Sequence, residues 1–307
     1  METLYLTHPS CRLHEMGEWH PECPQRLDAI SDQLLASGIM PYLDVREAGP
    51  APREALLRAH SAAYVDALAA ASPAEGYRAL DPDTQMNPHS YQAALHAAGA
   101  GLQAVDAIMA GEAPTAFCAV RPPGHHACRD RAMGFCLFNN IAVAAHHAMA
   151  RHGLERVAII DFDVHHGNGT EDIFAGDPRV LMCGIFQHPF YPHTGAPASA
   201  DNMVNVPVPA YTGGAEVRDI VTRVWLPRLE THRPQLILVS AGFDAHREDD
   251  LGQLGLVEAD YAWITHQLMQ LADRHAQGRV LSMLEGGYNL SALGRSAVAH
   301  IRELARV

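Results

Sequence analysis

The sequence lacks an uninterrupted apolar run of the roughly 18 residues that a membrane-spanning helix requires. Its first residues, Met-Glu-Thr-Leu-Tyr-Leu-Thr-His, also lack the basic flank and apolar centre of a secretory signal peptide. From these two absences we expect no membrane association and a cytoplasmic location.

Paired cysteines and an excess of basic residues are absent as well. The six cysteines include no C-x-x-C pair, which in a chain of 307 residues favours reduced thiols over disulfides or a structural zinc cluster. The formal net charge is −13 at pH 7. A nucleic-acid partner requires a basic surface and is therefore not expected, whereas a cationic substrate is compatible with this charge.

The order of apolar and polar segments predicts an α/β fold. No repeat, low-complexity tract or linker interrupts residues 1–307, so we predict a single domain. From Thr115 onward, short apolar segments alternate with segments of helical periodicity. This alternation predicts a central, mostly parallel sheet flanked by helices on both faces. Residues 54–70 are predicted to form one helix, and residues 167–169 a turn.

Four segments of unusual chemistry each follow directly after a predicted strand. They are residues 121–126, 161–166, 241–244 and 285–288. Ligands of open parallel α/β sheets bind at the carboxyl ends of the strands. We therefore expect the four segments to form one site.

The segment after the strand at residues 157–160 carries candidate metal ligands. Asp161, Asp163 and His165 occupy alternate positions, and alternate residues of an extended chain point the same way. Asp163 and His165 with Asp244 would give three ligands and leave a coordination position open for water. Oxygen and nitrogen ligands suit Zn²⁺, and Fe²⁺ or Co²⁺ would also fit. The alternative interpretation is a polar loop with salt-bridged aspartates.

Two adjacent histidines are candidates for proton transfer. His125 and His126 follow a Pro-Gly turn, and neutral imidazole is the usual proton shuttle near pH 7. Asp161 and Asn168 are available as partners, and a carboxylate behind one ring and an amide behind the other would separate the two pKa values. Metal ligation or a surface position are the alternatives.

Aromatic residues complete the candidate site. Tyr288 follows two glycines and could donate a hydrogen bond to a developing oxyanion. Phe135 and Tyr191 could form aromatic walls, although core packing is the ordinary role of such residues.

Five motifs together resemble the signature blocks of the zinc-dependent histone deacetylase superfamily, in the family's order and across most of the chain. They are R-P-P-G-H-H-A (121–127), G-F-C-L-F-N-N (134–140), D-F-D-V-H-H-G-N-G-T (161–170), A-G-F-D-A-H (241–246) and L-E-G-G-Y (284–288). The resemblance implies an arginase-like α/β fold and a class II-like deacetylase or amidohydrolase of the bacterial type.

The resemblance also implies a role for each candidate residue. Zinc would be held by Asp163, His165 and Asp244. His126 would act as general base and acid, His125 as its electrostatic companion, and Tyr288 would polarise the amide carbonyl. Asp161 would then lie behind His125, and Asn168 behind His126.

The same resemblance implies a narrow substrate tunnel. Its predicted residues are Phe135 and Tyr191 as walls, Gly134 and Gly286 close by, Asp83 at the rim, and Arg26 near an inner acetate cavity.

Four positions distinguish this chain within the superfamily. Asn168 matches the class II branch, where class I has Asp, and Tyr191 replaces a common Phe. Gly184 stands where the inner potassium site usually uses a Ser hydroxyl, so that K⁺ site is not expected in its usual form. Leu251 stands where acetylpolyamine-specific relatives carry a gatekeeper Glu.

These observations predict an enzyme that deacylates lysine-like substrates, either an acylated lysine peptide or protein or a small N-acyl amine. Three alternatives remain at this stage. They are a deacetylase of acetylpolyamines or other small N-acyl amides, a ureohydrolase with two Mn²⁺ ions, and a non-catalytic module that binds acyl-lysine.

Overall fold

Eight parallel strands form one sheet in the computed structural model, which describes residues 2–307. The strands are β1 (Thr3–Thr7), β2 (Leu43–Glu47), β5 (Thr115–Cys118), β6 (Val157–Asp161), β7 (Val180–Gln187), β8 (Met203–Val208), β9 (Leu236–Ala241) and β10 (Val280–Leu284). Their order across the sheet is β2-β1-β5-β10-β9-β6-β7-β8. A separate two-residue antiparallel pair joins β3 (Arg78–Ala79) to β4 (Gln85–Met86).

The helices cover the sheet in two packed groups. They are α1 (Gln25–Ala36), α2 (Arg53–Leu56), α3 (Ala62–Ala71), α4 (Ser90–Ala110), α5 (Asn140–His152), α6 (Asn168–Phe174), α7 (Gly214–Ile220), α8 (Leu226–His232), α9 (Glu258–His275) and α10 (Leu290–Ala305). Helix α4 packs on α5, and α10 packs on α1 and α9. Strands β5, β6, β9 and β10 are buried at every residue, as expected when both faces of a parallel sheet are covered. The predicted α/β fold is confirmed.

Two local predictions differ from the structure, and two strands were missed. Residues 54–70 do not form one helix, because the chain leaves the helical conformation between α2 and α3 and contacts the loop at residues 128 and 129. There His60 Nδ1 lies 2.9 Å from the carbonyl oxygen of Cys128, and the Ser61 hydroxyl caps α3. Residues 167–169 are not a free turn, since α6 begins at Asn168. Strands β2 and β8 were not predicted.

Helix α4 is long and apolar enough, by length and composition alone, to cross a membrane. Two thirds of its most apolar window is buried inside the fold, where it packs on α5, β1, β5 and β10. Helix α4 therefore has the position of a core helix.

Candidate active site

The four polar segments meet at one edge of the sheet. The strands that precede them, β5, β10, β9 and β6, are neighbours in that order. Because all four strands are parallel, their carboxyl ends lie side by side. The loops after these strands can therefore contribute side chains to a single site.

Asp163, His165 and Asp244 form a compact group of potential metal ligands. One ligand atom from each lies within 4.8 Å of the others. His165 Nδ1 lies 3.0 Å from Asp163 Oδ1 and 3.2 Å from Asp244 Oδ2. Asp244 Oδ1 accepts a hydrogen bond from the Val164 N–H, whereas the buried Asp244 Oδ2 has no hydrogen-bond partner among residues 2–307. An unpartnered buried carboxylate oxygen beside an imidazole fits a bound cation.

Two glycines leave room for these carboxylates. A Cβ atom on Gly286 would lie 2.0 Å from Asp244 Oδ2 and 2.6 Å from Asp163 Oδ2. A Cβ atom on Gly242 would lie 2.0 Å from Asp163 Oδ2. The Gly286 N–H donates a 2.9 Å hydrogen bond to Asp163 Oδ2. Both glycines are therefore required sterically, and Gly286 also orients a candidate ligand.

The electrostatics of the group favour a positive charge. Burial and the neighbouring Asp163 carboxylate together raise the pKa of Asp244. Two carboxylates this close and this deeply buried are stabilised by a proton or by a cation between them. A divalent ion meets that requirement.

Asp161 does not belong to this group. Its Oδ2 lies 2.9 Å from His125 Nδ1, and its Oδ1 accepts a hydrogen bond from the Asp163 N–H. The strand end thus directs Asp163 to the ligand group and Asp161 to a histidine.

The two adjacent histidines have different partners. His125 contacts Asp161, whereas His126 Nδ1 lies 2.7 Å from Asn168 Oδ1. Burial lowers the pKa of His125, but the carboxylates of Asp163 and Asp161 outweigh it and raise that pKa well above its usual value. Burial and the positive charges of His125 and His165 lower the pKa of His126 well below its usual value. One ring is therefore held as a cation and the other as a base.

Glu285 supports the loop that carries His125 and His126, called the histidine loop below. Its Oε2 accepts hydrogen bonds from the N–H groups of Gly124 (2.6 Å) and His125 (3.0 Å), and its Oε1 accepts one from Ser240. Burial raises the pKa of Glu285 to about 7. Sequence reasoning did not select this residue, although an acidic residue directly after a buried strand was the available signal.

A cavity of about 630 Å³, including its open mouth, leads to the candidate metal group. Its walls are formed by Asp83, His126, Gly134, Phe135, His165, Phe190, Tyr191, Asp250, Leu251 and Tyr288. The rings of Phe135 and Tyr288 meet edge to face, with centroids 5.9 Å apart. Tyr191 stands edge-on to His126 at 5.3 Å. The cavity therefore brings the predicted aromatic walls to the predicted base.

Sequence reasoning did not select two residues of this cavity. Phe190 stacks on the candidate ligand His165, with ring centroids 5.5 Å apart and planes 16° apart. Asp250 places a second carboxylate, in addition to that of Asp83, in the wall of the cavity. Phe190 directly precedes Tyr191, and Asp250 directly precedes Leu251. Adjacency to a predicted tunnel residue was therefore the only indication in the sequence that either one lines the cavity.

The backbone at Gly134 and Phe135 is held in an uncommon conformation. Both residues have positive φ, 56° and 68°. A Cβ atom on Gly134 would lie 2.4 Å from His126 Cδ2. This position therefore requires glycine both for its positive φ and for the space that His126 occupies. The Phe135 N–H donates to the Thr84 hydroxyl, which anchors the strained residue.

Arg26 lies fully buried behind the site. Its Nε donates to the carbonyl oxygen of Gly287 (2.7 Å), and its Nη2 donates to that of Glu285 (2.5 Å). Its Nη1 bonds to the carboxylate of Glu22, and its guanidinium lies over the Tyr288 ring, 5.0 Å from the centroid. The structure thus places Arg26 against the turn that contains Tyr288.

Gly184 lies in β7 beside Asp161. A Cβ atom there would meet only the Asp161 carbonyl oxygen, at 3.9 Å. The position contributes no hydroxyl, so the expectation about the potassium site stays a prediction.

The fold and the site define an α/β protein with a candidate metal centre at the carboxyl edge of a parallel sheet. Comparison with known proteins narrows this class. A family model described as the histone deacetylase domain matches residues 20–304. The chain belongs to the histone deacetylase family.

Relatives from distant organisms agree with this assignment. The chain is 41% identical to the histone deacetylase-like amidohydrolase of Pseudomonas aeruginosa, over 94% of this chain and 77% of that protein. It is 35% identical to a probable deacetylase of Archaeoglobus fulgidus, over 94% and 82%. The crystal structure of the HDA15 HD domain superposes with a TM-score of 0.94 at 37% identity, covering all of this chain and 90% of that one. These findings support a hydrolase of the deacetylase and amidohydrolase class.

Proposed function

We propose that this protein is a zinc-dependent amidohydrolase that removes acetyl or other acyl groups from the ε-amine of lysine-like substrates. One observation carries the proposal: His126, the candidate ligand His165 and Tyr288 line the same cavity. Amide hydrolysis with metal-activated water requires a base, a metal ligand and a hydrogen-bond donor at one place. Here an imidazole, a candidate ligand and a phenol face the same narrow opening.

Asp163, His165 and Asp244 fit a Zn²⁺ ion, because two carboxylates and one imidazole form a three-ligand set that leaves water access. When bound, the ion would supply Lewis acidity toward the substrate carbonyl and toward water. Fe²⁺ or Co²⁺ suits the same donors. The unpartnered Asp244 Oδ2 supports a cation of any of these kinds.

His126 would move the protons of the reaction. Asn168 engages its Nδ1, which leaves Nε2 for a water proton and then for the leaving amine. The cationic His125 beside it, with ring centroids 4.0 Å apart, favours return of that proton. Tyr288 would donate to the carbonyl oxygen as negative charge develops there. Burial raises the pKa of Tyr288 well above its usual value, so the phenol keeps the proton that it must donate.

A substrate panel tests the proposal. Zinc-loaded protein is compared on an acetyl-lysine peptide, longer acyl-lysine peptides and an N-acetylpolyamine, before and after chelation. All 22 lysine or arginine residues of the chain are arginine, so a reagent for the released ε-amine labels no enzyme side chain. We expect hydrolysis that chelation abolishes and Zn²⁺ restores. Absence of hydrolysis on every substrate at full zinc occupancy would favour an acyl-lysine binder, and two tightly bound Mn²⁺ ions would favour a ureohydrolase.

A second candidate substrate is an acetylpolyamine, which one observation favours. Asp83 and Asp250 both line the cavity, and carboxylates there would attract a second ammonium group. If polyamines are the substrate, Asp250→Asn should raise KM for the acetylpolyamine and leave KM for a neutral acetyl-lysine peptide unchanged. The cytoplasmic location stays a prediction.

A further inference from the structure

A second group of metal-ligating side chains lies on the outer faces of α4 and α5. Asp106 belongs to α4, and His147 and His152 belong to the C-terminal half of α5. Nε2 of each imidazole lies 2.7 Å from the same carboxylate oxygen, Asp106 Oδ1. The three potential ligand atoms lie within 4.8 Å of one another. Two nitrogens and one oxygen therefore already converge.

The two helices hold this arrangement through close packing. Gly101 of α4 faces Ala144 of α5 so closely that an added Cβ would lie 3.0 Å from the Ala144 Cβ. The rings of His147 and His152 are 5.7 Å apart at 78°, so their nitrogens approach Asp106 from different directions. His152 is the last residue of α5, about 18 Å along the helix axis from its first residue beside the histidine loop. The group is thus distinct from the candidate active site.

An ion can reach this group from solvent. The exposed fractions of the side chains are 54% for Asp106, 13% for His147 and 23% for His152. With metal–ligand distances of about 2.0–2.2 Å, tetrahedral ligands lie about 3.3–3.6 Å apart, so each contact must open by about 0.6–0.9 Å. Rotation of the exposed Asp106 side chain allows this.

We propose that Asp106, His147 and His152 form a surface site for a late first-row divalent ion, of which Zn²⁺, Ni²⁺ and Cu²⁺ are examples. Imidazole nitrogens prefer these ions, whereas Mg²⁺ and Ca²⁺ prefer sites made of oxygen alone. The proposal is independent of the proposed function, since none of the three residues lines the substrate cavity.

Zinc stoichiometry tests the site. The full chain is titrated with Zn²⁺ in competition with a chromophoric chelator, and we expect two equivalents per chain. The double variant His147→Ala/His152→Ala should lose the weaker equivalent and retain the tighter one, with unchanged turnover of the acetyl-lysine peptide. His275→Ala is the matched control, because His275 contacts one carboxylate, Glu230, and no second histidine. That control should keep both equivalents.

Two results would overturn the site: a single equivalent in the wild-type chain, or a second equivalent that persists in the double variant. If the double variant does not fold, His152→Ala replaces it, since this residue ends its helix. Electron paramagnetic resonance of added Cu²⁺ then reports the ligands directly. Wild-type protein should show splitting from two imidazole nitrogens at the weaker site, and His152→Ala should show one or none.

Discussion

Asn168 Oδ1 lies 2.7 Å from His126 Nδ1, so an amide supports the ring that we propose as the general base. The neighbouring His125 is supported by the Asp161 carboxylate at 2.9 Å. An amide fixes the tautomer of His126 without adding negative charge, whereas a carboxylate stabilises an imidazolium. The atoms behind the rings therefore contribute to their difference, together with the Asp163 carboxylate near His125 and the positive charges near His126.

Asn168→Asp should place a negative charge behind His126 and raise the pKa of its ring. Because the base must be unprotonated, the acidic limb of the kcat/KM profile should move to higher pH by about 1–2 units. The pH profile of peptide turnover measures this shift. Asp161→Asn is the matched control on His125 and should not produce the same displacement. An acidic limb that stays in place in Asn168→Asp would assign that limb to another group.

Tyr288→Phe should lower kcat by about 10²- to 10³-fold, the scale of one lost oxyanion donor. KM should change little if the hydrogen bond strengthens only in the transition state. Tyr261→Phe is a matched control, because that buried phenol donates to the carbonyl oxygen of Phe243 and does not line the cavity. Steady-state kinetics with zinc occupancy determined in parallel would separate lost chemistry from lost metal. Near-wild-type kcat in Tyr288→Phe would refute the role.

Gly286→Ala should weaken zinc binding. Its Cβ would overlap Asp244 Oδ2 at 2.0 Å, and moving that carboxylate distorts the ligand set. Losses of about 10- to 100-fold accompany disturbance of residues that orient metal ligands, and direct overlap should reach at least this range. Gly184→Ala is the control, since its nearest neighbour would be 3.9 Å away. Chelator competition measures both affinities, and equal affinities would contradict the steric argument.

Glu22→Ala should destabilise the fold strongly. Its carboxylate lies between the guanidinium groups of Arg26 and Arg121, and all three side chains are fully buried. Removal of one partner leaves buried charge uncompensated, with an expected loss of about 3–5 kcal/mol in the free energy of unfolding. Asp66→Ala breaks an exposed pair with Arg53 and should cost less than about 1 kcal/mol. Urea unfolding of both variants tests the contrast, and similar losses would refute it.

Glu285 should make stability depend on pH in the neutral range. Its pKa is about 7 in the fold against 4.5 for the free group, so the folded state holds the proton more tightly. Its stabilising contribution is complete below pH 4.5 and is lost as the pH rises toward 7 and above. Glu285→Gln should remove up to roughly 3 kcal/mol of this pH dependence. Urea titrations from pH 5 to pH 8 compare the two proteins, and parallel curves would exclude Glu285 as the source.

The sequence predicts this site well where its residues alternate along a strand end. Asp161 and Asp163 follow one buried strand, and parallel strands bring the other three loops to the same edge. Asp161 and Asn168 could be named as available partners because an acid and an amide remained in one short motif, whereas which of them supports which ring was implied by the family resemblance. Such predictions depend on the spacing of residues that are close together in the sequence and on the strands that precede them.

The sequence does not predict contacts that depend on distant parts of the chain. The break between α2 and α3 follows from contacts of His60 and Ser61 with residues 128 and 129. Glu285 supports the histidine loop across 161 positions of sequence, and Glu22 meets Arg121 across 99. Glu285 directly follows a strand, but the role of neither residue can be read from spacing, because burial and a distant partner create it.

The guanidinium of Arg26 joins two parts of the site that would otherwise be independent. It holds the carbonyl groups on either side of Gly286 and covers the ring of Tyr288. The phenol that we propose as the hydrogen-bond donor and a carboxylate that would hold the cation are thus both positioned by this turn. An alteration of this arginine should therefore impair metal retention and turnover in proportion, so the two properties cannot be tuned separately from that side of the protein.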